Sequence, residues 1–469
     1  MPTLEGIVFI PLALFLFFFR PRLLFPLLIG STVLQASSVV SSGSLGIQPY
    51  FCIAPLFVIR YLFVAKKNKD QLLGGNSFVW LWIAFAVISA ISAVVLPFIF
   101  KGVPVFNPKF SIDDNFLSQS PLHFEFENII QPAFLFLNVL VVIAATRQGP
   151  YADKGHKMFL WCSYFVILIV LLQIIFFWLG LPFPTKLLNN NPGYGIVALD
   201  ASQLRPAGSF TEPSMAGAVL AAVVAAFLWK YFAGKSSILN AVIASATCLL
   251  VASSSSLLAV VITMVLLVFS YPVIRLPWFI RVGRLKRLSV FFIAAAILAL
   301  SLVIPSVRAI LLSQTLEKGG SNSALVRFGA DAFAFNLTLQ THGLGVGLGS
   351  NRPSSSVAAL LSQVGVIGFL LFVCAAWKTL WPLPKEHRWI GMAALGLLLS
   401  MAFGLPDLSF PFLWILFALA AQSRASCQTE GSQRSMVMAK LQRHSAATAS
   451  PDAIRVFTPA NLHHPRRNR

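Results

Sequence analysis

Stretches of about 20 consecutive apolar residues recur along this 469-residue chain, each long enough to cross a hydrocarbon core of about 30 Å as a helix. Lipid tolerates only two spanning architectures, helices and closed β-barrels, because every backbone N–H and C=O must be satisfied internally. Barrel strands alternate apolar and polar residues. Here the runs are continuous, as in Phe9–Phe19 and Tyr164–Leu179. Charged residues make up 11% of the chain, against about 25% in soluble proteins. The expected fold is therefore all-α: a polytopic transmembrane helix bundle.

Hydropathy predicts about 12–13 helices. They lie near 4–19, 23–40, 47–65, 78–100, 128–145, 158–180, 213–231, 236–252, 256–274, 288–304, 355–377, 389–403 and 408–422. Odd-numbered loops of this map hold eighteen Lys and Arg, and the longer even-numbered loops hold eight. By the positive-inside rule the odd loops face the cytoplasm and the N-terminus lies outside. Three long loops, near 101–127, 181–212 and 305–354, then share the opposite, periplasmic face. A site there has no access to ATP or nucleotide sugars and needs a substrate that arrives already activated.

The net charge of +20 has its first explanation in that asymmetry rather than in nucleic acid, and no nucleic-acid partner is expected. Met1–Glu5 has no basic residue and no cleavage site follows Phe19, so the start reads as a first span and not as a secretory signal. Residues 1–422 form the transmembrane domain. From 423 to 469 the composition turns to Ser, Ala, Arg, Gln and His, which predicts a basic, disordered cytoplasmic tail attracted to anionic lipid. Cys52, Cys162, Cys248, Cys374 and Cys427 form no CxxC pair, so neither a disulfide framework nor a metal site is expected. Nucleotide-binding GxxxxGK[ST], zinc-protease HExxH and esterase GxSxG patterns are all missing.

Two segments carry candidate chemistry, each where a polar loop meets an apolar span. The first is Arg205–Gly217, RPAGSFTEPSMAG. Pro213 suits the first turn of a helix, and Glu212 sits at its positive dipole end. Glu212 is either a helix cap or a proton acceptor. Arg205 is either an interfacial anchor or a bidentate grip on phosphate or carboxylate. The second runs from Ser321 through HGLGVGLGSNRPSSS (His342–Ser356) to the GVIG of Gly365–Gly368. Glycines 343, 345, 347 and 349 free the backbone for tight turns and close approach to a ligand. The structural alternative is a glycine-rich re-entrant turn with Arg327 and Arg352 at headgroup level. His342 is a lone interfacial histidine, and Ser354, Ser355 and Ser356 suit a helix cap.

The stretch Arg205–Gly217 resembles the R-x-x-G-x-F-x-E-P motif of the O-antigen ligase/polymerase superfamily. Gly343–Gly349 with Gly365–Gly368 is similar to that family's glycine-rich approach and GxxG helix, and Asn322–Arg327 to the arginine of its large periplasmic loop. The matching motifs cover about 50 residues. The place of the ligases' histidine is Ser354 here, and Ser253–Leu257 lacks the arginine of their mid-chain motif. The resemblance therefore implies a polysaccharide polymerase rather than a ligase. It implies an undecaprenyl-diphosphate-linked glycan as donor, with no cofactor and no metal. It implies a bacterial inner-membrane location, with a chain-length regulator and a flippase as partners. Arg205, Arg327 and Arg352 would hold the diphosphate, with Gly345 and Gly347 against the glycan. Glu212 would be the base, with His342 as the second candidate. A ligase, a transporter or flippase, and a non-catalytic scaffold are the rival readings.

Overall fold

A computed structural model describes residues 3–43, 45–64, 77–106, 119–147, 152–192, 206–273, 322–381 and 383–427, with isolated positions between 283 and 289. Among the described residues the fold is all-α apart from two short hairpins, and the chain is a multi-pass membrane protein. Five described helices are long and apolar enough to cross a membrane. They are α4 (Ser77–Ile99), α5 (Glu127–Ala145), α6 (Ala152–Trp178), α8 (Pro213–Phe232) and α12 (Ser356–Leu380). Further apolar helices accompany them: α1 (Leu4–Phe19), α2 (Leu24–Ser31), α3 (Pro49–Val58), α9 (Ile238–Val251), α10 (Ser254–Val273) and α13 (Arg388–Gly404). A last helix, α14, covers 411–427. A single turn, α7, covers Thr185–Leu188, and α11 covers Asn322–Gln340.

Two helices form the centre. Helix α8 is buried on every side from Ala216 to Trp229, and α14 from Phe412 to Ala421. A helix apolar all round has to sit inside the bundle or in lipid, and these two sit inside. Small residues set how closely their neighbours approach. A Cβ on Gly217 would strike Ser256 of α10, and one on Gly396 would lie 2.8 Å from the Ala221 carbonyl oxygen. Around α14 the packing is aromatic, with Trp82 and Phe417 in ring contact with each other and each with Phe372 and Trp414. The indole N–H of Trp82 donates to Thr379 Oγ1 at 2.9 Å.

Several boundaries differ from the hydropathy reading. The second span stops at Ser31 instead of 40, and Val40–Ser42 pairs antiparallel with Leu45–Ile47. The reason lies in the Ser-rich stretch that follows Ser31, whose backbone bonds to distant loops. Ala36 N–H donates to Ser209 O at 3.1 Å and Ala36 O accepts from Asn191 N–H at 3.1 Å. Helix α9 has 14 residues, about 21 Å, and turns back within the bundle at the left-handed Ala252. The final helix runs to 427 rather than 422. The predicted span near 288–304 lies almost wholly outside the described residues, and so does the tail beyond 427. Helix α11 has no counterpart in the hydropathy map, because its polar face lowers the average.

One end of the bundle collects the loops that matter. The hairpin of Pro104–Phe106 with Gln119–Pro121 bonds to the glycine-rich segment, since Arg352 N–H donates to Phe106 O at 3.2 Å. Helices α3, α5, α8, α12 and α14 all begin at this end, and α13 finishes there.

Candidate functional site

The segment before α8 is wedged into the bundle. Gly208 takes a left-handed φ of 61°, and its N–H donates to Gln173 Oε1 at 2.9 Å. Ser209 Oγ donates to Val33 O, and Phe210 is fully buried. This anchoring delivers Glu212 to the N-cap position, with Pro213 at the first turn as the sequence predicts. The Glu212 carboxylate nevertheless makes no capping bond to its own helix. It accepts a hydrogen bond from Ser214 Oγ at 2.9 Å and faces a cavity.

Helix α11 supplies Arg327 to the same cavity. One turn on, Asp331 Oδ1 accepts the backbone N–H groups of Ser354 and Ser355 at 2.8 and 3.1 Å. Ser355 in turn caps α12, its Oγ accepting from Ala358 N–H at 3.4 Å, as expected for that serine cluster. Charge-assisted bonds to two backbone donors hold the loop end in place. Asp331→Ala leaves both donors unpaired and is expected to lower stability by about 1–3 kcal/mol. Thermal unfolding in detergent measures this, and an unchanged midpoint would show that Asp331 does not hold the loop.

The glycine-rich loop is bound along an opened turn of α12. Gly365 departs from helical geometry, at φ 78° and ψ −179°, which frees carbonyls one turn earlier. Ser362 O and Gln363 O then accept N–H from Val346 and Gly347 at 2.8 and 2.9 Å, while Val366 N–H donates to Gly343 O at 2.8 Å. Gln363 completes the fastening, its Nε2 donating to Asn351 O at 2.6 Å and its Oε1 accepting from Gly349 N–H at 3.2 Å. Asn128 of α5 adds bonds to Leu348 O and Ser350 Oγ at 2.9 and 2.7 Å. The following residue, Arg352, is thereby carried to the cavity.

The last wall is the short turn between α13 and α14. Asp407 Oδ1 accepts from both Ser409 N–H and Ser409 Oγ, at 2.9 and 2.7 Å. Burial pushes the Asp407 carboxyl above the usual carboxylate range, although the Ser409 bonds and the positive charge of Arg352 act in the other direction. A carboxyl whose folded pKa exceeds its unfolded value of about 3.9 costs the fold increasing stability as pH rises from there through the folded pKa. Asp407→Asn is therefore expected to raise the thermal midpoint at pH 7, with the gain gone below about pH 4. Midpoints measured at both pH values check this, and a lower midpoint at pH 7 overturns it.

These segments enclose a cavity of about 280 Å³. Glu212, Arg327, Arg352 and Asp407 share its wall with the amides of Gln131 and Gln363 and the rings of Phe51 and Phe134. Two guanidinium groups give planar forks for paired oxygens, and the amides suit hydroxyl groups. The N-termini of α3, α8, α12 and α14 converge on the same space and add positive dipole ends. Among the described residues no group of three or more His, Cys, Asp or Glu is placed to hold a metal ion.

Of the residues singled out from sequence, the fold brings together Glu212, Arg327 and Arg352. Gly345 and Gly347 are buried elsewhere, Gly345 against the Ser362–Gln363 backbone and Gly347 against Ser92 and Pro97 of α4. Their close approach is to protein. His342 is exposed in a left-handed conformation just after α11 and is not among the cavity's walls. Arg205 lies outside the described residues. Asp407 was not read from the sequence, although a signal exists: it is the single acidic residue between Arg388 and Cys427, in a turn assigned to the face of both signature segments. Comparison with models of known protein families finds no match, and a search of the curated proteins finds none.

Proposed function

We propose that this protein polymerises undecaprenyl-diphosphate-linked oligosaccharide repeat units at the periplasmic face of a bacterial inner membrane. One observation carries the reading. Two arginines and a non-capping glutamate, drawn from segments more than a hundred residues apart, meet in one cavity at the loop-rich end of a membrane bundle. That set matches what transfer from a lipid diphosphate requires.

A hydroxyl of the acceptor glycan attacks the donor's anomeric carbon, forming the new C–O bond. The bond from that carbon to the diphosphate oxygen breaks, and its electron pair leaves with the diphosphate. Glu212 takes the hydroxyl proton. Arg327 and Arg352 meet the charge growing on the leaving oxygens, and fixed donors in a water-poor site act without reorganising. Attack from the face opposite the leaving group inverts the anomeric centre. The leaving group already carries the activation, so the protein supplies position and charge.

The test is deletion of the gene, followed by analysis of lipid-linked glycans and exported polysaccharide together. Single repeat units accumulating on lipid, with long polymer lost, support the polymerase. Long polymer retained on lipid but missing from its acceptor would mean a ligase. Repeat units trapped on the cytoplasmic face would mean transport.

A further inference from the structure

The hydropathy map leaves 305–354 as a long outer loop, yet part of it packs along the length of the spanning helix α12. Helix α11 has its middle beside the start of α12, where Asp331 holds Ser354 and Ser355. It ends beside the third turn of α12, where Gly343, Val346 and Gly347 bond to Val366, Ser362 and Gln363. Those partners lie six to ten residues inside a 25-residue span, or about 9–15 Å along its axis. The two helices therefore run inward side by side. The glycine-rich segment then returns outward to Arg352. Gly347 reaches the backbone of Ser92 in α4 on the way, which is also well inside a span.

The outer face of α11 carries Leu325, Phe328, Ala332, Phe335 and Leu339, at alternating spacings of three and four. Phe328 is 73% and Leu339 75% exposed. Both charged groups with described side chains on this helix, Arg327 and Asp331, point to the cavity and to the α12 cap. Asn336 and Gln340 flank the stripe, and no charged residue interrupts it. A helix face meeting water normally carries charge. At its inner end the stripe continues through exposed Leu344 into the exposed row Val366, Ile367, Leu370 and Val373 of α12, the side of a spanning helix that meets lipid.

We infer that α11 is a re-entrant membrane element whose Leu325–Phe328–Phe335–Leu339 stripe is covered by the acyl chains of membrane lipid. The inference stands apart from the glycan reading. If that reading holds, the succession Arg327–Phe328 has a further consequence. A ligand with a charged head and a long hydrocarbon tail meets the cavity and the bilayer on adjoining faces of one helix.

The experiment uses the full-length protein in nanodiscs of phosphatidylethanolamine and phosphatidylglycerol, with no glycan present. One sample is photolabelled with a lipid-partitioning aryl diazirine and another is footprinted with hydroxyl radicals, and peptides are read by mass spectrometry. Phe328, Phe335 and Leu339 should take carbene label to the level of Ile367 and Leu370, with little oxidation. His123, exposed on the outer hairpin, should be oxidised and serves as the aqueous reference. Oxidation of the stripe comparable to that of His123 would place it in water and overturn the inference. Failure of both reagents at the stripe would mean that protein covers it, which overturns the inference as well.

Discussion

Glu212→Gln is expected to lower polymer formation about 10²–10⁴-fold, the usual contribution of a positioned general base, while the protein still inserts at wild-type levels. Glutamine keeps the shape of the side chain and can still accept from Ser214 Oγ, but it cannot take up a proton. Glu212 contributes no capping bond to α8, so the helix loses only the charge–dipole attraction, about 0.3–1 kcal/mol. Arg327→Ala and Arg352→Ala should each cost about 10²–10³-fold, the scale for removing one fixed donor from a developing negative charge. Polymer amount and length in cells carrying each variant, normalised to membrane-inserted protein, are the readouts. Wild-type polymer from the Glu212→Gln protein would remove Glu212 from the chemistry.

The largest stability loss is expected at Gly365. Its backbone lies in a region essentially restricted to glycine. A Cβ there would also collide with the carbonyl oxygens of Gly343 and Leu344. Gly365→Ala should therefore destabilise the fold by roughly 3–5 kcal/mol, combining backbone strain with overpacking. The loop that carries Arg352 should detach with it, because its N–H groups depend on the carbonyls this residue frees. Gly329→Ala is the matched control. Gly329 lies within α11 with nothing near its Cβ position, so alanine should be neutral or stabilise by up to about 1 kcal/mol. Thermal midpoints of the two variants in detergent decide the matter, and equal midpoints would mean that the opened turn does not depend on Gly365.

How much was legible beforehand varies residue by residue. Pro213 as the opening of a helix and Ser355 as a cap were readable, because capping depends on neighbours within one turn. The four glycines before Leu348 and Ser350 were correctly read as special backbone, and all four have positive φ. What they approach was not readable. Close packing against Ser92 or Ser362 is set by residues far off in the chain. Helix α11 escaped hydropathy because Arg327 and Asp331, away from its apolar stripe, lower the average over the segment. Asp407 escaped because no local motif marks its turn, and its neighbours in the cavity come from segments remote in the chain.

The sequence by itself determined that this chain is a membrane bundle of helices, because lipid leaves unbroken apolar runs no other way to satisfy their backbones. It also determined where several helices begin, since proline and serine act locally. Only the tertiary structure decided which polar side chains meet. Glu212, Arg327, Arg352 and Asp407 share a cavity because α8, α11, α12 and α14 converge at one end of the bundle. That convergence comes from packing between segments remote in the chain, such as the Gly217–Ser256 and Gly396–Ala221 contacts, which no local pattern encodes.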